Sequence, residues 1–437
     1  MNPPTRLPTI LFLSFIATLT TAQADLAQAW IRQYGTGAAD IANALTVDAV
    51  GQIWVTGFTT GSLGAPNAGS SDIFLSRLSP SGTVDFSRQR GGSSSDVGRG
   101  VAVAGNGTIF ISGGTGSTLD GTVPMDPYDN FAMRYDGSGI WLGTVRTGSN
   151  AFDQAEGVAA NATHLLAAGS TAGSFDGQVN GGGNDAFLTK RDSAGTLVWT
   201  RFAGTGAEDF GQSATFDSAG NAYLVGKTFS SFSGFTNKGS GDIFVARYDA
   251  SGTRTFLTQF GIAGDDNAAD IEVDASGNMY IAGFTHGPFG SYDSLLTKLD
   301  SLGNVLWTRY LGGAGDDQSR GLALDAAGHV WIGGSSSSSF GGHTNAGGSD
   351  AFVAEYDTAG NLLATTFLAT ASEDTISGLT MSPDGAVLVA GNTAGNLGGV
   401  NAGNGDIFVA RIIIVPEPSA TLLLIGPGLL LLQRRRR

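Results

Sequence analysis

The residues with the most chemical capacity are two recurring sets of aspartates. One set is Asp40, Asp96, Asp153, Asp209, Asp266, Asp317 and Asp374. The other is Asp72, Asp129, Asp185, Asp242, Asp293, Asp350 and Asp406. Clustered carboxylates can hold hard cations, attract positively charged partners, or act as acid and base on a polymer. In the second set Asp72, Asp185, Asp242, Asp350 and Asp406 each follow an Asn by five residues: Asn67, Asn180, Asn237, Asn345 and Asn401. Asn, Asp and backbone carbonyls are the oxygen donors that calcium takes, so these five are the calcium candidates, although no stretch has the spacing of a calcium-binding hand. An Asp in a Gly-rich turn at a strand start also has a structural use, accepting nearby backbone N–H groups. A position repeated in every unit is explained first by what every unit needs.

Other chemistry is sparse. The histidines, His164, His286, His329 and His343, show no pairing at metal or triad spacing. The stretches Asp217 to Asn221, Asp274 to Asn278 and Asp325 to His329 resemble fragments of metal loops but read as hairpin turns. His329, at a position held by Asn in two sister turns, reads as a surface residue. The absence of cysteine excludes disulfides, thiolate metal sites and cysteine nucleophiles. No Gly-x-Ser-x-Gly stands at a strand-to-helix turn. Carboxylate pairs for glycoside chemistry depend on separation in space, which sequence hides.

Both aspartate sets recur at intervals of 56 or 57 residues, with one interval of 51. A period held that tightly means one structural unit repeated. Each second-set Asp stands two residues before a large apolar side chain, as in Asp242-Ile-Phe244, and opens a segment of two-residue alternation that suits a strand. A glycine closes another apolar strand at Gly57, Gly113, Gly169, Gly226, Gly283, Gly334 and Gly391. Three residues before each lies a large residue: Trp54, Phe110, Leu166, Tyr223, Tyr280, Trp331 and Leu388. With a further segment of the form Trp-Thr-Arg-aromatic-x-Gly, best seen from Trp199 and Trp307, each unit holds four strands, the arithmetic of a propeller blade. The ends are complementary half-repeats. Trp30 to Gly35 is a fourth strand with no third strand before it, and Asp406 to Arg411 is a third strand with no fourth after it. The fold expected is all-β, a seven-bladed β-propeller of four-stranded blades whose last blade is closed by the N-terminal strand. In such a meander both aspartate sets fall at one face, the first near the channel mouth. Ionised and solvated, that face would attract cations, which makes the first set the candidate binding residues.

Composition supports a folded array. Hydrophobic residues make up 41% of the 437, enough for a core, and the 68 glycines suit many tight turns. Asp and Glu outnumber Lys and Arg by 38 to 23, so no basic stripe exists to neutralise phosphates, and no nucleic-acid partner is expected.

The termini read as addresses. Residues 1–24 hold one basic residue, Arg6, an apolar run, and Ala22-Gln23-Ala24, a small-x-small site for signal peptidase. Residues 25–412 form the propeller. Residues 413–437 contain Pro416-Glu417-Pro418, an apolar run over 420–432 and four terminal arginines. An apolar run ending in clustered Arg would lie in the inner membrane with the arginines on the cytoplasmic side.

The repeat resembles the bacterial β-propeller repeat family SBBP. The matching stretches are Gly204-Thr-Gly-Ala-Glu-Asp209, Val273 to Tyr280 with Gly283, and Gly241 to Gly252, and the likeness covers about residues 28–412. The tail resembles the PEP-CTERM sorting signal of Gram-negative bacteria. That resemblance implies an exosortase substrate, transiently anchored in the inner membrane, cut near Pro416–Pro418 and released to the cell envelope, surface or outside. The leading functional expectation is an exported, non-catalytic binding or scaffold module at the envelope or in the extracellular matrix, with exopolysaccharide or other surface proteins as partners. No cofactor is expected other than calcium. The alternative is a propeller lyase or hydrolase acting on an extracellular polymer. Broken symmetry discriminates the two, and the sequence shows departures at blade two (Asp126, Tyr128) and blade five (His286, Tyr292).

Overall fold

Each apolar alternation is seven or eight residues long and is stopped by a turn whose chemistry the sequence supplies. In Asp249-Ala-Ser-Gly252, Asp249 Oδ1 accepts the N–H groups of Ser251 and Thr253, and Gly252 takes φ of 82°. Such a turn can only reverse the chain. The computed structural model describes residues 25–119, 121 and 128–415. They build seven antiparallel sheets of four strands, each formed from consecutive strands except at the seam. Blade four is typical, with strands Asp209–Phe216, Ala222–Thr228, Asp242–Tyr248 and Arg254–Phe260 from the axis outward. The first strands of neighbouring blades touch all the way round, so the ring is closed about a channel.

The core lies between blades. Phe74, Phe131, Phe187, Phe244, Leu295, Phe352 and Phe408 are each at most 4% exposed, as are the large residues from Trp54 to Leu388 that precede the recurrent glycines. One apolar cluster joins Phe74, Ile53 and Leu78 of blade one to Leu388 and Val409 of blade seven. Burying a side chain of this size contributes roughly 1.5–3 kcal/mol, repeated at every blade boundary.

The seam is where the half-repeats meet. Blade seven consists of Asp374–Met381, Val387–Thr393 and Asp406–Val415, and its outer strand is Asp25–Tyr34 from the other end of the chain. Pairing runs from Tyr34 opposite Ile407 to Asp25 opposite Val415, with one bulge near Gln28. Arg32 Nε donates to the carbonyl of Gly82 in the next blade at 3.0 Å, as Arg201 does to Gly252 and Arg309 to Gly360. The N-terminal strand therefore makes a fourth strand's contacts, and no unpaired sheet edge is left at the seam. The residues expected to direct processing, Ala22, Ala24, Pro416, Glu417 and Pro418, the apolar run over 420–432 and Asp126 lie outside the described residues. Among the described residues no helix is long and apolar enough to cross a membrane.

Every first strand carries a β-bulge at one place. In blade one Ala42 pairs with Gly57 and Ala44 with Thr56, so Asn43 is left without a partner across the sheet. The other six first strands shift register at the same point. The recurrent glycine makes room for this. A Cβ on Gly57 would fall inside the carbonyl oxygen of Ile41, and one on Gly226 inside that of Phe210. Only glycine allows the two backbones that close.

Candidate functional site: the channel mouth

The fourteen aspartates open the first and third strands of every blade, and all are buried, none above 2% exposed. Their burial corrects the expectation of a solvated acidic face. In the first set one carboxylate oxygen accepts the backbone N–H four residues upstream: Thr36 to Asp40, Gly92 to Asp96, Ser149 to Asp153, Thr205 to Asp209, Ile262 to Asp266, Gly313 to Asp317 and Thr370 to Asp374. The other oxygen takes a hydroxyl from the second strand in several blades, such as Thr59 on Asp40 and Thr285 on Asp266, both at 2.5 Å. Each aspartate thus ties a blade-to-blade loop to the strand it enters.

The calcium candidates have the same geometry. Asp72, Asp185, Asp242, Asp350 and Asp406 accept the N–H groups of Ala68, Gly181, Lys238, Ala346 and Ala402. Gln89, Gln259 and Gln33 of outer strands donate to Asp72, Asp242 and Asp406 at 2.9–3.0 Å. The Asn side chains shape their own loops; Asn180 Nδ2, for example, bonds the carbonyls of Thr171 and Gly183. Aspartates of the two sets meet in pairs across the fourth-strand glycines Gly35, Gly261 and Gly312: a Cβ on Gly261 would approach Asp242 Oδ1 and Asp266 Oδ2 at 2.6 and 2.5 Å. Burial pushes Asp96, Asp185, Asp209, Asp266 and Asp350 above the usual carboxylate range. Their hydrogen bonds pull the other way, and a neighbouring charge adds to the rise, the paired aspartate's at Asp96, Asp185, Asp266 and Asp350 and that of Glu208 at Asp209.

Unlike groups gather three residues along the first strand, at the bulge. The residue there is Asn43, Arg99, Glu156, Gln212, Ala269, Arg320 or Ser377 in successive blades. Five of these, with Ser335, Thr375 and Ile376, line a cavity of about 340 Å³ in the channel. Bulges re-aim side chains and are frequent beside functional sites. Here one bulge per blade presents a different side chain on a constant frame.

The ring is electrostatically lopsided. Arg99 Nε stands 3.7 Å from Glu156 Oε2, a loose pair. Arg320 donates to the neutral Gln318 Oε1 at 2.7 Å, stacks 5.0 Å from the Phe284 ring, and has no carboxylate partner among the described residues. It is solvent-exposed but surrounded by protein, so desolvation lowers its pKa from the ordinary value while the guanidinium stays charged. Two guanidiniums against one carboxylate leave this stretch of the channel with a surplus of positive charge.

Further along, blade five alone places acids on the channel wall. Asp270 accepts Ser213 Oγ of blade four at 2.8 Å and Leu322 N–H of blade six at 3.0 Å, bridging three blades. Burial pushes it up to about 6. Burial and then the charge of Asp270 push Glu272 up to about 8. At the mouth Tyr128 stacks on the half-exposed Phe152 with centroids 5.2 Å apart, and Tyr128 senses the charges of Arg99 and Glu156. In blade five His286 and Tyr292 pack together at 5.3 Å. The blade-two departure therefore borders the ring. Sequence reasoning missed the ring itself, although its signal was present: the third residue after each first-set aspartate changes from blade to blade.

Comparison with known proteins agrees with the fold. The model of the SBBP β-propeller repeat matches residues 198–233 and 306–341. Regulatory protein FlaEY of Caulobacter vibrioides is 28% identical over 427 residues, covering 84% of this chain and 43% of that protein, so the chain spans less than half of that relative's length. The Neurospora crassa Pan2 WD40 domain superimposes with a TM-score of 0.52 at 11% identity, covering 89% of this chain and 96% of that domain, a likeness of fold alone. Two stretches of this seven-bladed ring thus match the SBBP β-propeller repeat.

Proposed function

We propose that the protein is an exported, non-catalytic binding or scaffold module of the cell envelope or extracellular matrix, and that its ligand enters the channel mouth. The observation that carries this reading is the bulge ring, in which Arg99 and Arg320 face one 340 Å³ cavity on a frame that repeats from blade to blade. Two guanidiniums with Asn43, Ser335 and Ser377 suit a carboxylate-bearing sugar, so the partner is an acidic exopolysaccharide or a surface protein carrying one. The likeness to a protein named as regulatory supports binding rather than turnover. The test is calorimetry of the full-length protein with uronate oligosaccharides against neutral ones of equal length. Preference for the acidic sugars supports the reading, and equal or absent binding removes it.

A propeller lyase or hydrolase is the second reading, favoured by Glu272, which is held mostly protonated at neutral pH and could serve as a general acid. Shortened polymer after incubation would select it. Processing by signal peptidase after Ala24 and by an exosortase near Pro416–Pro418 is part of the first reading, with a transient inner-membrane anchor between the two cuts. The intact mass of the secreted protein tests it. Calcium at the second aspartate set is also proposed. Oδ1 atoms of Asp72, Asp185, Asp350 and Asp406 are buried without a hydrogen-bond donor from the protein, which suits an ion better than an empty contact. An unchanged melting temperature in calcium and in chelator would remove that idea.

A further inference from the structure

On the face opposite the bulge ring, blade six departs from its six sisters at one spot. In third strands the fifth residue after the opening aspartate is Arg77, Arg134, Lys190, Arg247, Lys298 and Arg411, but in blade six it is Glu355. This cation lies beside the turn between first and second strands, which in blades one, four, five and seven also carries an acid: Asp48, Asp217, Asp274 and Asp384. In blade seven Arg411 Nη2 pairs with Asp384 Oδ2 at 2.5 Å. Blade six puts a buried carboxylate, 3% exposed, where that cation would be.

The turn itself changes in the same blade. In blades four and five the turn aspartate accepts two backbone N–H groups on one oxygen, and a side-chain amide on the other: Asn221 on Asp217 at 2.7 Å and Asn278 on Asp274 at 2.8 Å. Blade six keeps the backbone half, with Ala327 and His329 N–H on Asp325 Oδ1 at 2.9 and 2.8 Å. It loses the amide. His329 replaces Asn, and its Nδ1 stands 3.7 Å from Asp325 Oδ2, beyond a hydrogen bond, leaving that oxygen only Trp331 Nε1 at 3.4 Å. The same Nδ1 is 2.7 Å from Glu355 Oε1.

We propose that Asp325 Oδ2, His329 Nδ1 and Glu355 Oε1 form a binding site for one divalent transition-metal ion of the zinc class. The three atoms lie within 4.8 Å of one another. Ligands on bonds of about 2.0–2.1 Å in a tetrahedron stand about 3.3 Å apart, and the observed 2.7 and 3.7 Å straddle that figure. Imidazole with two carboxylates suits zinc rather than calcium, which takes six to eight oxygens. The backbone donors on Asp325 Oδ1 fix that ligand's orientation. Asp325 and His329 are half-buried, so water can fill the fourth position. An ion there neutralises the two carboxylates, as Arg411 neutralises Asp384 in blade seven.

The experiment titrates zinc chloride into untagged, chelator-stripped full-length protein by calorimetry, and repeats the titration with cobalt(II), whose visible bands report nitrogen–oxygen coordination. Expected is one equivalent bound in the micromolar range or tighter, with a zinc-dependent rise in melting temperature. His329→Asn and Glu355→Arg each install the residue that sister blades carry, so both should fold. Each should weaken binding at least about 100-fold. Should Glu355→Arg misfold, the isosteric Glu355→Gln makes the same test. Absence of stoichiometric binding, or binding unchanged in these variants, overturns the proposal and leaves a His329–Glu355 hydrogen bond.

Discussion

Two positions on the first strand of every blade, three residues apart, behave in opposite ways. The strand opens on Asp in all seven blades, buried and bonded to its own loop. The bulge residue differs almost everywhere and reaches the channel. The two share a strand and a period, so the difference is one of task. What is constant serves a need that all blades share. What varies faces something that lacks sevenfold symmetry, as a ligand does.

That contrast can be broken from the frame side first. Gly226→Ala forces a side chain into the Phe210 carbonyl at the bulge, where neither backbone can yield. We expect a loss of at least ~4 kcal/mol, the extreme range for one substitution, read as a shift of the urea midpoint. Asp266→Ala strands the Ile262 N–H and the Thr285 hydroxyl inside the protein. At about 1–3 kcal/mol for each orphaned group, the expected cost is ~3 kcal/mol by the same measurement, with sugar affinity unchanged in the folded fraction. A loss of affinity without a loss of stability would reverse the roles assigned to the two positions.

The ring should answer in the other variable. Arg320→Ala removes no bond to a charged protein partner, so unfolding stability should move by less than ~0.5 kcal/mol. Affinity for a uronate oligosaccharide should fall by ~2 kcal/mol, about 30-fold, as for a charge-assisted hydrogen bond. The smallest effect concerns the wall below the ring and depends on pH. Glu272 is raised from 4.5 to about 8. The stability it contributes is therefore complete below pH 4.5 and lost as pH rises through 8. Glu272→Gln should match the wild type at pH 4.5 and gain on it steadily to pH 8, by ~1–2 kcal/mol once water entering the channel is allowed for. Melting curves at pH 4.5, 6 and 8 check it, and a difference that shrinks with pH contradicts the assignment.

The architecture was legible because its determinants repeat. Seven glycines, seven buried aromatic or leucine residues and two half-repeats at the ends fix blade, period and closure without reference to space. The aspartates were read correctly as strand openers that accept nearby backbone N–H groups, whereas the alternative of a solvated acidic face fails on their burial, which no local pattern reveals. The ring was hidden for a different reason. A bulge adds one residue to one strand, and two-residue alternation does not reveal on which side it falls. Asn43, Arg99 and Arg320 therefore look like noise between constant positions. His329 read as a surface residue because its partner, Glu355, lies on another strand and is recognisable only by comparing third strands across blades.

The seam has a consequence for presentation. Asp25 pairs with Val415 at the end of the strands remote from the aspartates, while Tyr34 and Ile407 stand at the aspartate end. Both ends of the folded ring thus emerge side by side on the face away from the bulge ring. Anything joined beyond Val415, whether a stalk or an anchor, holds the molecule by its base and turns the Arg99–Arg320 opening outward. Tension between the two ends would open the seam rung by rung rather than shear it, which makes this strand pair the weakest point of the ring under load.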